Sequence, residues 1–409
     1  MAGGLPGLDA GEYHFNPADV SLGLLRRGDF RGNLAEATSM ESAVAHAPVI
    51  IICTGTYWRN SWRYRARTYR HFGWDNGTLL ANMLAVSAAS GLPAEIVLGF
   101  VDSEVNRLLD LDNQREVSLC LVPIGQRSES SPASRELSAL GLDTIPLSKR
   151  EVEYPAMLQM HEASSLKSKE EVAQWRERQQ VFVSFAPTHH AVPLRPLPVE
   201  EQPKDTIERV ILRRGSTRAF DRTASITLAQ LSTILDSATR GLPADFFESP
   251  GGQLNDLYLV VHSVKELKPG AYFFQREQNT LELLKEGRFR AEAYHLGLEQ
   301  ELPADACVDI FFLANLGNLL ERYGNRGYRA VQLEAGIIGS RMYLAAYAQR
   351  LGATGLTFFD DDVVNFFSPH AKHKNAIFLL AIGKPLRREP KQSAQESRAQ
   401  PPESRPSPP

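Results

Sequence analysis

The sequence predicts an α+β chain of two tandem α/β sandwich units that pair as a pseudo-dimer, the first truncated at its N-terminus. Three observations predict it. First, residues recur at a fixed spacing of 259: Gly11, Tyr13 and Phe15 return as Gly270, Tyr272 and Phe274, and Arg67, Tyr69 and Arg70 as Arg326, Tyr328 and Arg329. Second, short apolar runs alternate with helix-period stretches in each copy, the pattern of strands layered against helices. Third, the long helical stretch of the second copy carries Gly336, Gly339, Ala345 and Ala346. Small side chains let two helix backbones come close, so this helix is expected at a pairing interface.

Each element follows in order. "GEYHF" in one copy and "GAYFFQ" in the other open a hairpin, followed by an amphipathic stretch. "VIIIC" and "VDIFFLA" are continuous apolar runs, which read as strands buried on both faces. A long helix comes next, expected over 328–351 in the second copy. "VSLCLVPIG" and "AIFLLAIG" close the copies as strands. The second copy also has a helical start at 206–212, a helix over 228–238 and a strand "LYLVVHS" before its repeat begins. The first has ten residues before Gly11, so it has either degenerated or lost its start. Between the copies, "YPAMLQMHEASSLKSKEEVAQWRERQ" reads as helical arms with Pro155 near a start.

These boundaries divide the chain into a truncated unit with its helical arm (1–184), a Pro-rich extended linker (185–208), a complete unit (209–388) and a disordered tail (389–409). A net charge of −3 argues against a general nucleic-acid binder. No apolar run approaches the ~20 residues that cross a bilayer, and the start has neither the basic front nor the apolar centre of a secretory signal. Three cysteines without ligand spacing fit a reduced, cytoplasmic protein and no metal site. His189-His190 reads as solvated linker.

The run "ILRRGSTRAF" places Arg213, Arg214 and Arg218 around a Gly-Ser-Thr turn, with apolar residues close on both sides. A phosphate wants several N–H donors converging on it, and arginine supplies them in pairs. Alone the run reads more readily as a solvated basic turn, and the chain has neither a Walker loop nor a GxGxxG. Its neighbours favour an anionic cofactor. "SPGGQ" (249–253) is a small, pliant loop before a strand. "RLGATGLTFFDDD" puts Gly352 and Gly355 at the end of the central helix, where backbone N–H groups would be exposed. "IGKPLRR" adds Lys384, Arg387 and Arg388 after the last strand.

Taken in order, "RRGSTRAFD", "SPGGQLNDLYLVV", the segment from Tyr323 to Asp362 and "AIFLLAIGKP" resemble the FMN-dependent nitroreductase superfamily, most closely its SagB-type dehydrogenases. The resemblance implies nitroreductase-like units and an FMN held by Arg214, Ser216 and Arg218, with Arg213 as an alternative and Lys384 and Arg387 assisting. It implies that Ser249, Gly251, Gly252 and Gln253 contact FMN across the paired interface, and that the backbone of Thr357 and Phe358 meets flavin N5. The Lys-Tyr pair of azoline-oxidising members falls at Arg322-Tyr323. Arginine stays charged and cannot shuttle a proton, which puts azoline oxidation by that route in doubt and leaves Tyr323 to donate or orient.

The activity implied is hydride exchange at flavin N5. It would serve either dehydrogenation of azoline rings in a modified peptide or reduction of small quinone, nitro or enone compounds by NAD(P)H. The alternative is a scaffold-like relative that has lost catalysis. Pairing within one chain would leave no complete flavin site, because each half-site lacks what the truncated copy omits. Homodimerisation through second copies is the escape.

Overall fold

The computed structural model describes residues 1–142, 144–177, 191–247 and 252–386. The disordered tail expected over 389–409 lies outside them, as do His189-His190. Among the described residues no helix is long and apolar enough to cross a membrane.

The N-terminal unit comprises β1 (Gly11–Asn16), β2 (Ser21–Arg27), β3 (Val49–Thr56), α1 (Thr68–Ala89) and β4 (Glu116–Ile124). A joining arm follows, with the helix Pro155–Ala163 and then α2 (Lys169–Arg176), whose N-cap Ser168 accepts from Glu171 N. The C-terminal unit comprises β5 (Ala191–Pro193), α3 (Ile207–Arg213), β6 (Asp256–Val261), β7 (Gly270–Gln275), β8 (Thr280–Glu286), β9 (Val308–Ala314), α4 (Arg326–Ala348), β10 (Gly352–Leu356) and β11 (Asn375–Gly383). Shifting β1, β2 and β4 by 259 residues reproduces the bounds of β7, β8 and β11.

Seven strands form one sheet in the order β10-β11-β9-β6-β7-β8-β5. β9 lies between β6 and β11 and is buried along its whole length, as its apolar run predicts. β3 is only half-buried, a departure from that expectation. It pairs with β4 alone, apart from a single bridge between Val49 and Ala2, the residue standing 259 before Val261 of β6. Two further expectations change. Gly352–Leu356 is not a helix end but an edge strand hydrogen-bonded to β11. Residues 191–193 of the Pro-rich linker are docked as β5 against β8, an edge position where a missing N–H costs nothing.

α1 and α4 pack side by side and run in the same direction, because repeat-equivalent residues meet along their length. The rings of Tyr69 and Tyr328 stack at 6.4 Å and 17°. A turn later Gly73 faces Gln332, and one turn further Gly77 faces Gly336. A methyl on Gly336 would come within 2.8 Å of Trp74 Cα and O, and one on Gly77 within 2.7 Å of Leu333 O. Those neighbours are backbone and cannot swing aside. Gly336→Val is therefore expected to destabilise by about 3 kcal/mol through overpacking, read as a lower urea midpoint. Gly339→Ala should cost less, since it meets only the Phe378 ring.

Candidate functional site

The arginine turn begins where α3 ends. Arg213 is held locally through Nη2, which donates to Asp205 Oδ2 at 2.8 Å and to Tyr347 O at 3.1 Å, while its Nε is buried without a hydrogen-bond partner among the described residues. Thr217 pins the turn to the sheet edge, its N–H donating to Ala353 O at 3.0 Å and its hydroxyl lying 3.2 Å from the Tyr347 hydroxyl. The segment after β11 runs antiparallel beside the turn: Asp221 N donates to Lys384 O at 2.8 Å and Leu386 N to Ala219 O at 2.9 Å. Ser216, Arg218 and Lys384 are exposed around it. Arg214 differs. Its guanidinium lies 4.6 Å above the Tyr343 ring, whose hydroxyl receives Gly355 N–H, and its Nε is buried without a hydrogen-bond partner among the described residues. A buried, unpaired donor on a cation fits an anionic group arriving from outside.

Thr357 and Phe358 follow β10, and their N–H groups find no hydrogen-bond partner among the described residues. Their repeat equivalents are Leu98 and Gly99, and there the same two N–H groups are capped. Both donate to the Asp245 carboxylate at 2.8 Å. Asp245, with a side chain 2% exposed, also takes Arg176 Nε of α2 at 3.2 Å. Burial pushes its carboxyl upward, while Arg176 and the two N–H groups pull the other way. Arg176 further donates to Thr38 O at 2.6 Å and to Gly99 O at 2.5 Å. One amide pair is thus sealed by α2 and Asp245, and the other is open.

A second repeated motif flanks each pair. On the sealed side Arg326 and Arg329 enclose Asp102 at 2.8 and 2.7 Å. Burial raises the Asp102 pKa, but the two arginines outweigh it and hold it at about 2. Arg326 Nε and Nη2 both donate to Leu98 O, at 2.9 and 2.6 Å. On the open side the equivalents Arg67 and Arg70 enclose Asp360, with Arg67 Nη1 donating to Oδ2 at 2.8 Å. Arg67 lies 5.2 Å above the Phe358 ring, and its Nε and Nη2 are buried without partners among the described residues. Behind it His71 stacks on Tyr64 at 4.1 Å and meets the Trp74 edge at 4.8 Å. Burial, then Arg67 and Arg70, lower the His71 pKa to about 4, so it is neutral at pH 7.

The fold therefore gathers Arg213, Arg214, Ser216, Arg218 and Lys384 at one edge, next to the strand that leads to Thr357 and Phe358. Arg387, Ser249 and Gly251 lie outside the described residues. Gly252 is buried, and Gln253 Nε2 donates to Asp256 Oδ1 at 3.3 Å. The chain after them is tied to Glu334 of α4 through Leu254 N and Asn255 N, at 3.0 and 2.8 Å. Glu334 precedes Tyr343 by nine residues, about 13 Å along the helix, so this end of the loop stands apart from the arginine turn. Tyr323 is corrected from a substrate-facing donor to a packed one. It is 3% exposed, its hydroxyl donates to Phe246 O at 3.3 Å, and its ring meets Trp175 at 6.2 Å. Arg322 sits beside it, 5.7 Å from the ring. Sequence reasoning passed over Arg67, Arg70, His71, Trp74 and Asp360, although Arg67 and Arg70 are themselves repeated at one helical turn.

Residues 211–384 match the family model described as the nitroreductase family. A curated protein of Methanocaldococcus jannaschii described as a candidate nitroreductase is 27% identical over 162 residues, covering 38% of this chain and 81% of the relative. A solved structure from Anabaena variabilis, also described as a candidate nitroreductase, aligns over 94% of this chain and 79% of its own, at 24% identity and TM-score 0.75. Another, from Ralstonia eutropha, covers half of this chain at 21% identity and TM-score 0.36. The chain has the α+β nitroreductase fold across both units.

Proposed function

We propose, taking the nitroreductase-family match of residues 211–384 as the premise, that this chain is an FMN-dependent oxidoreductase with one cofactor cleft. The observation that carries the proposal is the pair of N–H groups at Thr357 and Phe358, uncapped among the described residues, beside a cation at Arg214 whose buried Nε is likewise unpaired among them. Arg214 is the residue to receive the FMN phosphate, with Ser216, Arg218 and Lys384 closing on it from the exposed side. The Thr357 and Phe358 N–H groups would hold the polar edge of the ring. When bound, FMN supplies hydride exchange at flavin N5.

Among the finer readings, a SagB-type dehydrogenase acting on azoline peptides needs a proton-handling pair. Arginine is no proton shuttle and Tyr323 is enclosed, so this chain's residues favour reduction of small quinone, nitro or enone compounds with NAD(P)H. Protein reconstituted with excess FMN and desalted is expected to stay yellow, with one FMN per chain. A colourless product would favour the scaffold reading instead.

A further inference from the structure

The two Arg-Arg-Asp clusters use repeat-equivalent arginines on acids one position out of register, Asp102 and Asp360, and the difference between them points to a ligand. In the sealed cluster every edge of Arg326 is used, with Nη1 on Asp102 and Nε with Nη2 on Leu98 O. In the open cluster Arg67 uses Nη1 alone among the described residues; its side chain is 30% exposed against 1% for Arg326, although Nε and Nη2 are themselves buried. The Nε and Nη2 donors of one guanidinium lie side by side on one edge, the fork that grips a carboxylate with two parallel bonds. Left buried and unpaired, they are costly.

The local charge agrees. Two arginines face one carboxylate, Asp360, while His71 is neutral. Of the other nearby acids, Asp75 is engaged by Asn60 at 2.8 Å and Asp362 by His295 at 2.8 Å, while Asp361 is exposed. Buried aromatic rings back the cluster, with Phe358 beneath Arg67 and Trp74 6.5 Å from Phe358.

We propose that the Nε–Nη2 edge of Arg67 is a carboxylate receptor, and that the preferred substrate of this cleft is an aromatic or quinonoid acid whose carboxylate it grips. The proposal rests on the oxidoreductase reading for its chemistry but not for its binding. Calorimetry on the full chain with 4-nitrobenzoate and its neutral isostere 4-nitrobenzamide should show about 30-fold tighter binding of the acid. NAD(P)H-driven turnover of the FMN-loaded chain should show the same preference in KM.

Arg67→Met should abolish the preference while FMN retention stays unchanged. Arg67→Lys, which keeps the charge but loses the fork, should lose most of it. Equal binding of acid and amide by the unaltered chain would overturn the proposal, as would a preference that survives in Arg67→Met. A preference lost together with FMN in Arg67→Met would assign Arg67 to the cofactor and also overturn it. Selective binding of the acid by a chain that retains no FMN would keep the receptor and refute the oxidoreductase reading.

Discussion

Arg214→Ala is expected to weaken FMN binding by about 2–3 kcal/mol, the range for one charge-assisted contact to an anion. That is roughly a 30- to 150-fold higher Kd, read by titrating desalted protein and following the quenching of free-flavin fluorescence. The control is Arg213→Ala. Arg213 already holds Asp205 and Tyr347 O through Nη2, its Nε being unpaired among the described residues, so its removal should loosen the end of α3 and lower stability, with a smaller change in Kd than Arg214→Ala. If both variants bind like the parent, the phosphate lies elsewhere.

Asp245→Ala should be the most destabilising single change. It strips a buried carboxylate from Leu98 N, Gly99 N and Arg176 at once, leaving two buried donors unpaired and Arg176 with Glu41 as its remaining acid partner, at 3.2 Å. Breaking a buried pair from one side costs about 3–5 kcal/mol. Asp245→Asn keeps an acceptor for one N–H and should fall between. Urea unfolding followed by the fluorescence of Trp175, which neighbours Arg176 on α2, reports the midpoint. A midpoint within 0.5 kcal/mol of the parent would show that the seal contributes nothing. In the folded fraction of either variant, FMN should still bind at Arg214 with unchanged affinity.

The duplication was legible in the sequence because identities persist at one spacing without a gap, and β1, β2 and β4 keep the register of β7, β8 and β11. The arginine turn was legible because a Gly-Ser-Thr bend bracketed by apolar residues is a local signal. Gly352–Leu356 was misread since glycine marks loops and helix ends by its backbone freedom. Here Gly352 is required because a side chain would strike Thr217 Oγ1 at 2.3 Å, a contact made by a residue 135 positions away. The seal was not legible either. Residues 98, 176 and 245 meet only once the units have packed, and none carries a local mark. Arg67 was legible as a repeat of Arg326 but not as a site residue, because the two share only Tyr and Arg two and three positions on and differ in the surroundings that folding gives them.

That divergence has a consequence for how such a chain can evolve. In a symmetric homodimer every substitution appears twice, so neither half can specialise without the other. Joined in tandem, the halves are inherited separately but never dilute apart, since the tether keeps their effective concentration high. Asp245 and α2 could commit one cleft to holding the halves together, leaving its twin free to drift toward a ligand of its own.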